Sequence, residues 1–193
     1  MRIKESILQS IETKQKILND PYLLETIRDV ADICRDTFCE GNKVLFCGNG
    51  GSAADAQHLA AEFSGRFYYD RQPLPSEALH VNTSFLTAVA NDYSFDEVYA
   101  RMLRGIGHSG DVLIALSTSG NSKNIIRALE MAREIGIITV GLTGETGGEM
   151  REWCDFLINI PSKDTPRIQE CHIMIGHILC ELVESAIFPQ TPQ

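Results

Sequence analysis

No stretch of the chain approaches the roughly 18 consecutive apolar residues of a membrane-crossing helix, so no transmembrane segment is expected. The first residues, MRIKESILQSIETK, carry charge throughout. They lack the apolar core of roughly 7–15 residues that marks a secretory signal, and a cytoplasmic protein is expected. Basic residues are in deficit, with 17 Lys and Arg against 26 Asp and Glu, a formal charge of −9. That balance argues against broad contact with nucleic acid or an anionic membrane, though not against a local basic pocket. None of the cysteines (Cys34, Cys39, Cys47, Cys154, Cys171, Cys180) stands in a zinc-type CxxC spacing. Several lie in apolar contexts such as VLFCG and HILCELV, so reduced, buried thiols are expected. Internal repeats, low-complexity tracts and linkers are absent as well. What remains is a globular composition, 44% apolar and 22% charged, over 193 residues. A fold of that size buries about 70% of its unfolded surface without disulfide staples.

Residues 3–18 and 21–40 read as two helices, with Ile7, Leu8, Ile11, Ile17 and Leu18 at helical spacing. Asn19-Asp20-Pro21 breaks them, Asp20 as cap and Pro21 at the first helical position. An amphipathic arm of this kind over 1–40 is expected to make subunit contacts. From residue 41 to 188 the pattern changes. Short apolar runs at 43–47, 78–81, 111–116, 137–142 and 156–160 alternate with helical stretches at 52–64, 84–90, 94–107, 122–135 and 166–187. Near-continuous apolar runs suit strands buried on both faces. The alternation predicts an α/β fold, a parallel sheet between two helical layers, with its ligand site along the edge where the strands end. Gln72-Pro73-Leu74-Pro75 reads as a loop and the tail 188–193 as frayed.

Two loops at that edge could hold an anion. Cys47-Gly48-Asn49-Gly50-Gly51-Ser52 joins a strand to a helix start, where glycines permit close approach and free N–H groups face outward. It also fits GxGxxA, but the acidic residue expected about 20 positions on is missing, which disfavours a nicotinamide site. Leu116-Ser117-Thr118-Ser119-Gly120-Asn121-Ser122 gathers four hydroxyls at another helix start. Helix capping accounts for Ser122 alone. No Walker-type lysine follows, so a phosphomonoester is the simpler ligand.

His58 and Glu62 are four residues apart, about 40° around a helix, and share a face. They could form a surface pair, but Ala60, Ala61 and Phe63 suggest a buried helix, where both need partners. The last helical stretch adds Gln169 and His177 in an apolar context. His177 alone would usually be a hydrogen-bonded core residue, and His80 and His108 have no companions. Together His58, Glu62, Gln169 and His177 have the donor types that suit zinc or a similar divalent ion.

CGNGGSAADAQHLAAEFSGRF, AVANDYSFDEVYAR, LIALSTSGNSKN and TPRIQECHIMIGHILCELVE, in this order over residues 40–187, resemble the sugar isomerase (SIS) domain of bacterial phosphoheptose isomerases. The resemblance implies a five-stranded parallel sheet in a three-layer sandwich and a homotetramer with active sites between subunits. The implied reaction interconverts sedoheptulose 7-phosphate and D-glycero-D-manno-heptose 7-phosphate, the entry to ADP- or GDP-activated heptose for lipopolysaccharide and other surface polysaccharides. It places Ser117, Thr118, Ser119 and Ser122 on the phosphate. Asn49, Gly50, Gly51, Ser52, Asn91, Asp92 and Gln169 fall on the sugar. Zinc falls to His58, Glu62, Gln169 and His177, one ion per subunit, with Glu62 and His177 as the catalytic pair. No nucleotide cofactor is implied, because the isomerisation is internally redox-neutral. Two alternatives remain open at this point: a non-catalytic SIS protein that binds a replication initiator, and an isomerase of another sugar phosphate.

Overall fold

The computed structural model describes residues 2–190. Helix α1 spans Arg2–Leu18 and α2 spans Pro21–Cys39. Asp20 caps α2 by accepting from the Leu23 N–H at 3.1 Å, with proline in the first turn. The strands are β1 (Val44–Gly48), β2 (Ser76–Ala78), β3 (Val112–Leu116), β4 (Ile138–Thr143) and β5 (Phe156–Asn159). The helices between and after them are α3 (Gly51–Ser64), α4 (Thr83–Asp92), α5 (Val98–Ile106), α6 (Lys123–Glu134) and α7 (Thr165–Ile187).

All strands pair in parallel, in the order β2-β1-β3-β4-β5. Every residue of β1 and β3 is buried, as the apolar runs required. Alternation then divides the side chains between two cores. Val44, Phe46, Ile114 and Leu142 meet α2, α3 and α7 on one face, with Phe63 packed between Phe38 and Phe46. Leu45, Cys47, Leu113 and Ala115 meet α4, α5 and α6 on the other. The chain leaves β1 for β2 on one side and returns to β3 on the other. The order therefore reverses at β1/β3, and the loops after these two strands share one crevice. At the opposite edge the buried Asp111 carboxylate accepts from the Lys43 and His108 N–H groups and pairs with Lys43 Nζ at 2.7 Å, tying the starts of β1 and β3.

Three expectations change. The run at 78–81 is not itself the strand: β2 ends at Ala78, and the apolar Leu79 follows it into the core while its N–H still reaches Phe46 O. The expected arm over 1–40 divides in two. α2 lies in the helical layer, burying Leu23, Ile27, Val30, Cys34 and Phe38, whereas α1 buries only Thr13 and Ile17 and exposes Ile3, Ile7, Leu8 and Ile11. The tail is held at Phe188, whose carbonyl accepts from the Tyr69 hydroxyl at 2.8 Å; residues 191–193 of the expected frayed end lie outside the described residues.

Candidate active site

The glycine loop after β1 is shaped by three contacts. The buried Tyr99 hydroxyl donates to Gly48 O. Gly50 caps α3 with φ +55°, a conformation that favours glycine. Gly51 faces the Gln169 amide so closely that a Cβ would stand 2.5 Å from its Nε2. Asn49 and the buried Asn124 on α6 exchange amide hydrogen bonds, both at 2.8 Å, which fastens this loop to the next.

In that second loop the Ser117 and Ser122 hydroxyls stand 3.0 Å apart. Ser122 is the N-cap residue of α6, yet its side chain makes no capping bond, so the α6 amides keep their outward reach. Ser119 Oγ accepts from the Asn121 N–H at 3.2 Å and remains exposed. Gly120 has φ +68° and presses against Gly147 O. Thr118 and Ser119 border a cavity of about 150 Å³ whose rim carries Lys163 and Glu145, paired at 3.1 Å. Hydroxyls, helix amides and one cation suit an anion such as a phosphate group.

A second centre lies farther along α3. Helices α3 and α7 run side by side in the same direction, as the successive contacts Gly51–Gln169, Leu59–Gly176 and His58–His177 show. Gly176 permits the approach: a Cβ there would come within 2.4 Å of the Leu59 side chain. His58 Nε2 is 2.9 Å from Glu62 Oε1 and 3.2 Å from His177 Nε2. The Phe67 ring lies against His177, centroids 5.7 Å apart. Asp55 stands one turn before His58; burial raises its carboxyl pKa, partly offset by His58 and His177. The expected burial of this pair is not met within one chain. Ala60 and Phe63 are buried but Ala61 is exposed, and the His58 side chain keeps 48% of its surface open.

The donor set fits a zinc-like ion. Bonds of about 2.0–2.2 Å in tetrahedral geometry separate ligand atoms by roughly 3.3 Å, close to the spacings within this cluster. The three ligand atoms all lie within 4.8 Å of one another. Gln169 is not with them. Eight residues of α7 separate it from His177, roughly 12 Å of helix, and its amide stays at the glycine loop. Asn91 and Asp92 close α4, exposed and hydrogen-bonded to each other at 2.9 Å. Ser52 is buried in the first turn of α3.

His80 and His108 join neither centre, and burial lowers the His80 pKa. Cys34, Cys47, Cys171 and Cys180 are buried free thiols, Cys154 is half-buried and Cys39 is exposed. Several positioning groups escaped the sequence reading: Tyr99, Asn124, Asp55, and a buried ion pair between Arg71 and Glu184 at 3.0 Å. Asp55 could have been found by its helical spacing to His58 and Glu62. The others depend on contacts across distant parts of the chain.

Known proteins share this fold and much of this sequence. The family profile described as SIS domain matches residues 7–144. A phosphoheptose isomerase of Aneurinibacillus thermoaerophilus is 58% identical over 186 residues, 96% of this chain and 94% of that protein. One from Clostridium acetobutylicum is 53% identical over 186 residues, 96% of this chain and 95% of that protein. The structure of a phosphoheptose isomerase from Neisseria gonorrhoeae superposes with a TM-score of 0.90 at 41% identity, covering 95% of this chain and 97% of that one.

Proposed function

The chain belongs to the SIS-domain family and is an aldose–ketose isomerase of the phosphoheptose isomerase group, and from that premise we propose that it interconverts sedoheptulose 7-phosphate and D-glycero-D-manno-heptose 7-phosphate in the cytoplasm, supplying activated-heptose synthesis. The observation that carries the reading is the meeting of His58, Glu62 and His177, drawn from helices more than a hundred residues apart, on a fold that also presents a hydroxyl-rich anion loop.

Ser117, Thr118, Ser119 and Ser122 hold the phosphate with the α6 amides, and Asn91 and Asp92 meet sugar hydroxyls. Gly50, Gly51 and Ser52 let the glycine loop close on the sugar, with Gln169 beside it. Asn49 contributes mainly backbone, since its side-chain oxygen and one amide hydrogen are occupied by Asn124. In the open-chain ketose, Glu62 removes a proton from C1 and returns it to C2 through a cis-enediol. His58 engages one carboxylate oxygen, which leaves the other for this transfer. His177 moves the compensating proton between O1 and O2 and serves ring opening. Zinc held by His58, Glu62 and His177 would polarise the carbonyl and stabilise enediolate charge.

The two centres need a second copy of the chain. Glu62 lies roughly 16 Å along α3 from the glycine loop, and Gln169 could join the His–Glu–His set only from another subunit. The exposed apolar side of α1 suits such assembly, and a homotetramer with sites between subunits accommodates both facts. A coupled assay with sedoheptulose 7-phosphate, before and after chelation and zinc replacement, tests the reading. Formation of the heptose 7-phosphate is expected. A folded, zinc-loaded protein with no turnover would overturn it.

A further inference from the structure

The helices that carry Glu62 and His177 are joined by groups that touch neither side chain's reacting atoms. Arg71, with 2% of its side chain exposed, donates to Glu62 O at 2.8 Å, to Phe63 O at 2.7 Å and to Gly65 O at 3.1 Å. These are carbonyls at the end of α3, where a helix has no N–H partners of its own, and a cation is the favoured cap. Arg71 also pairs with Glu184 of α7. Glu184 in turn accepts from the Phe67 N–H at 2.8 Å and the Tyr68 N–H at 2.7 Å. That grip sets the Phe67 ring against His177. Burial raises the Glu184 pKa, but these hydrogen bonds and the guanidinium outweigh it and leave the carboxyl below its ordinary range.

From this geometry we infer that Arg71 and Glu184 are positioning residues that hold Glu62 and His177 in one reactive arrangement. The inference rests on the reading of Glu62 and His177 as the catalytic pair. Arg71 fixes the last turn of α3, which contains Glu62. Glu184 fixes the loop that carries Phe67 onto the His177 ring. Without them the α3 terminus frays and the imidazole loses one wall, while the anion loop at the end of β3, to which neither residue is hydrogen-bonded, is untouched.

Arg71→Lys keeps the charge but not the fork that spans several carbonyls. Its expected effect is a 10- to 100-fold fall in kcat, with KM and inhibition by inorganic phosphate within threefold of wild type. In long-range ¹H–¹⁵N spectra of metal-free protein, the His58 and His177 ring signals should shift while those of His108 stay. Phe67→Leu, which leaves the ion pair intact, should move the His177 signal and reduce kcat in the same direction; it serves as the test should Arg71→Lys not fold. A folded Arg71→Lys protein with unshifted rings and kcat within twofold would overturn the inference, as would a silent Phe67→Leu. If wild type fails to turn over the heptulose phosphate, the proposed reaction falls, and the imidazole signals still decide the positioning.

Discussion

His172 packs with no exposed surface beneath the sheet, its Nε2–H donating to Thr143 O at 3.2 Å. Burial pushes its pKa down to about 4, with the Thr143 bond opposing only in part. An unfolded imidazole titrates near 6.5, so between those values the unfolded chain binds more protons. Stability is then complete above about pH 6.5 and falls as pH drops towards 4, by up to about 3 kcal/mol. Urea titrations of His172→Gln should show a shallower slope across that window; an unchanged slope would assign the acid loss elsewhere. The proposed catalytic pair, Glu62 and His177, is only partly buried. Glu62→Gln and His177→Gln should fold normally and lose at least about a hundredfold in turnover. Near-wild-type rates in either would remove its assigned role. His58 and Glu62 were readable as a pair because four residues bring side chains together on any helix. Adding His177 required the packing of α3 on α7, which spacing within one helix does not encode.

The loops depend on how elements abut. Gly120 combines φ +68° with a hypothetical Cβ only 2.2 Å from Gly147 O. Gly120→Ala should therefore cost more than about 2 kcal/mol and weaken inhibition by inorganic phosphate at least tenfold. Denaturant melts and inhibition assays on the same sample check both, and an intact phosphate affinity would place the ligand elsewhere. Element type and order were legible because apolar periodicity reports burial directly. Boundaries were less so. Leu79 is as buried as a strand residue, which is why the apolar run overshot β2. The stretch 94–107 likewise begins as a short 3-10 turn, Phe95–Glu97, before α5 starts. The Asn49–Asn124 and Arg71–Glu184 links left no trace in the pattern, since periodicity marks faces and not partners across 75 or 113 residues.

At the scale of the whole molecule, α1 is the element whose sequence and position disagree in a single chain. It is amphipathic, yet Ile3, Ile7, Leu8 and Ile11 face outward. Ile7→Glu combined with Ile11→Glu should leave a folded protein of lower mass in sedimentation, with turnover lost alongside. Activity retained in a monomer would contradict a shared site. The proposed shared site makes a sharper demand. Ser119→Ala and His177→Gln proteins, each impaired, should regain activity when unfolded together and refolded as mixed oligomers. Two defects within one site would show no such recovery. The expectation of subunit contact came from the arm's apolar stripe, whereas the proposal of a partner at the site rests on the length of α3 between the two centres.

The amide pair between Asn49 and Asn124 also bears on how the protein ages. Asn49 precedes Gly50, the neighbour that most readily lets a backbone nitrogen attack the side-chain amide and release ammonia. Here that amide is held at both ends by Asn124, in one rotamer. Once converted to aspartate, the residue would set an oxygen opposite the Asn124 acceptor and a negative charge on a loop proposed to admit an anionic sugar. The pair thus protects the site against a chemical clock running in its own backbone.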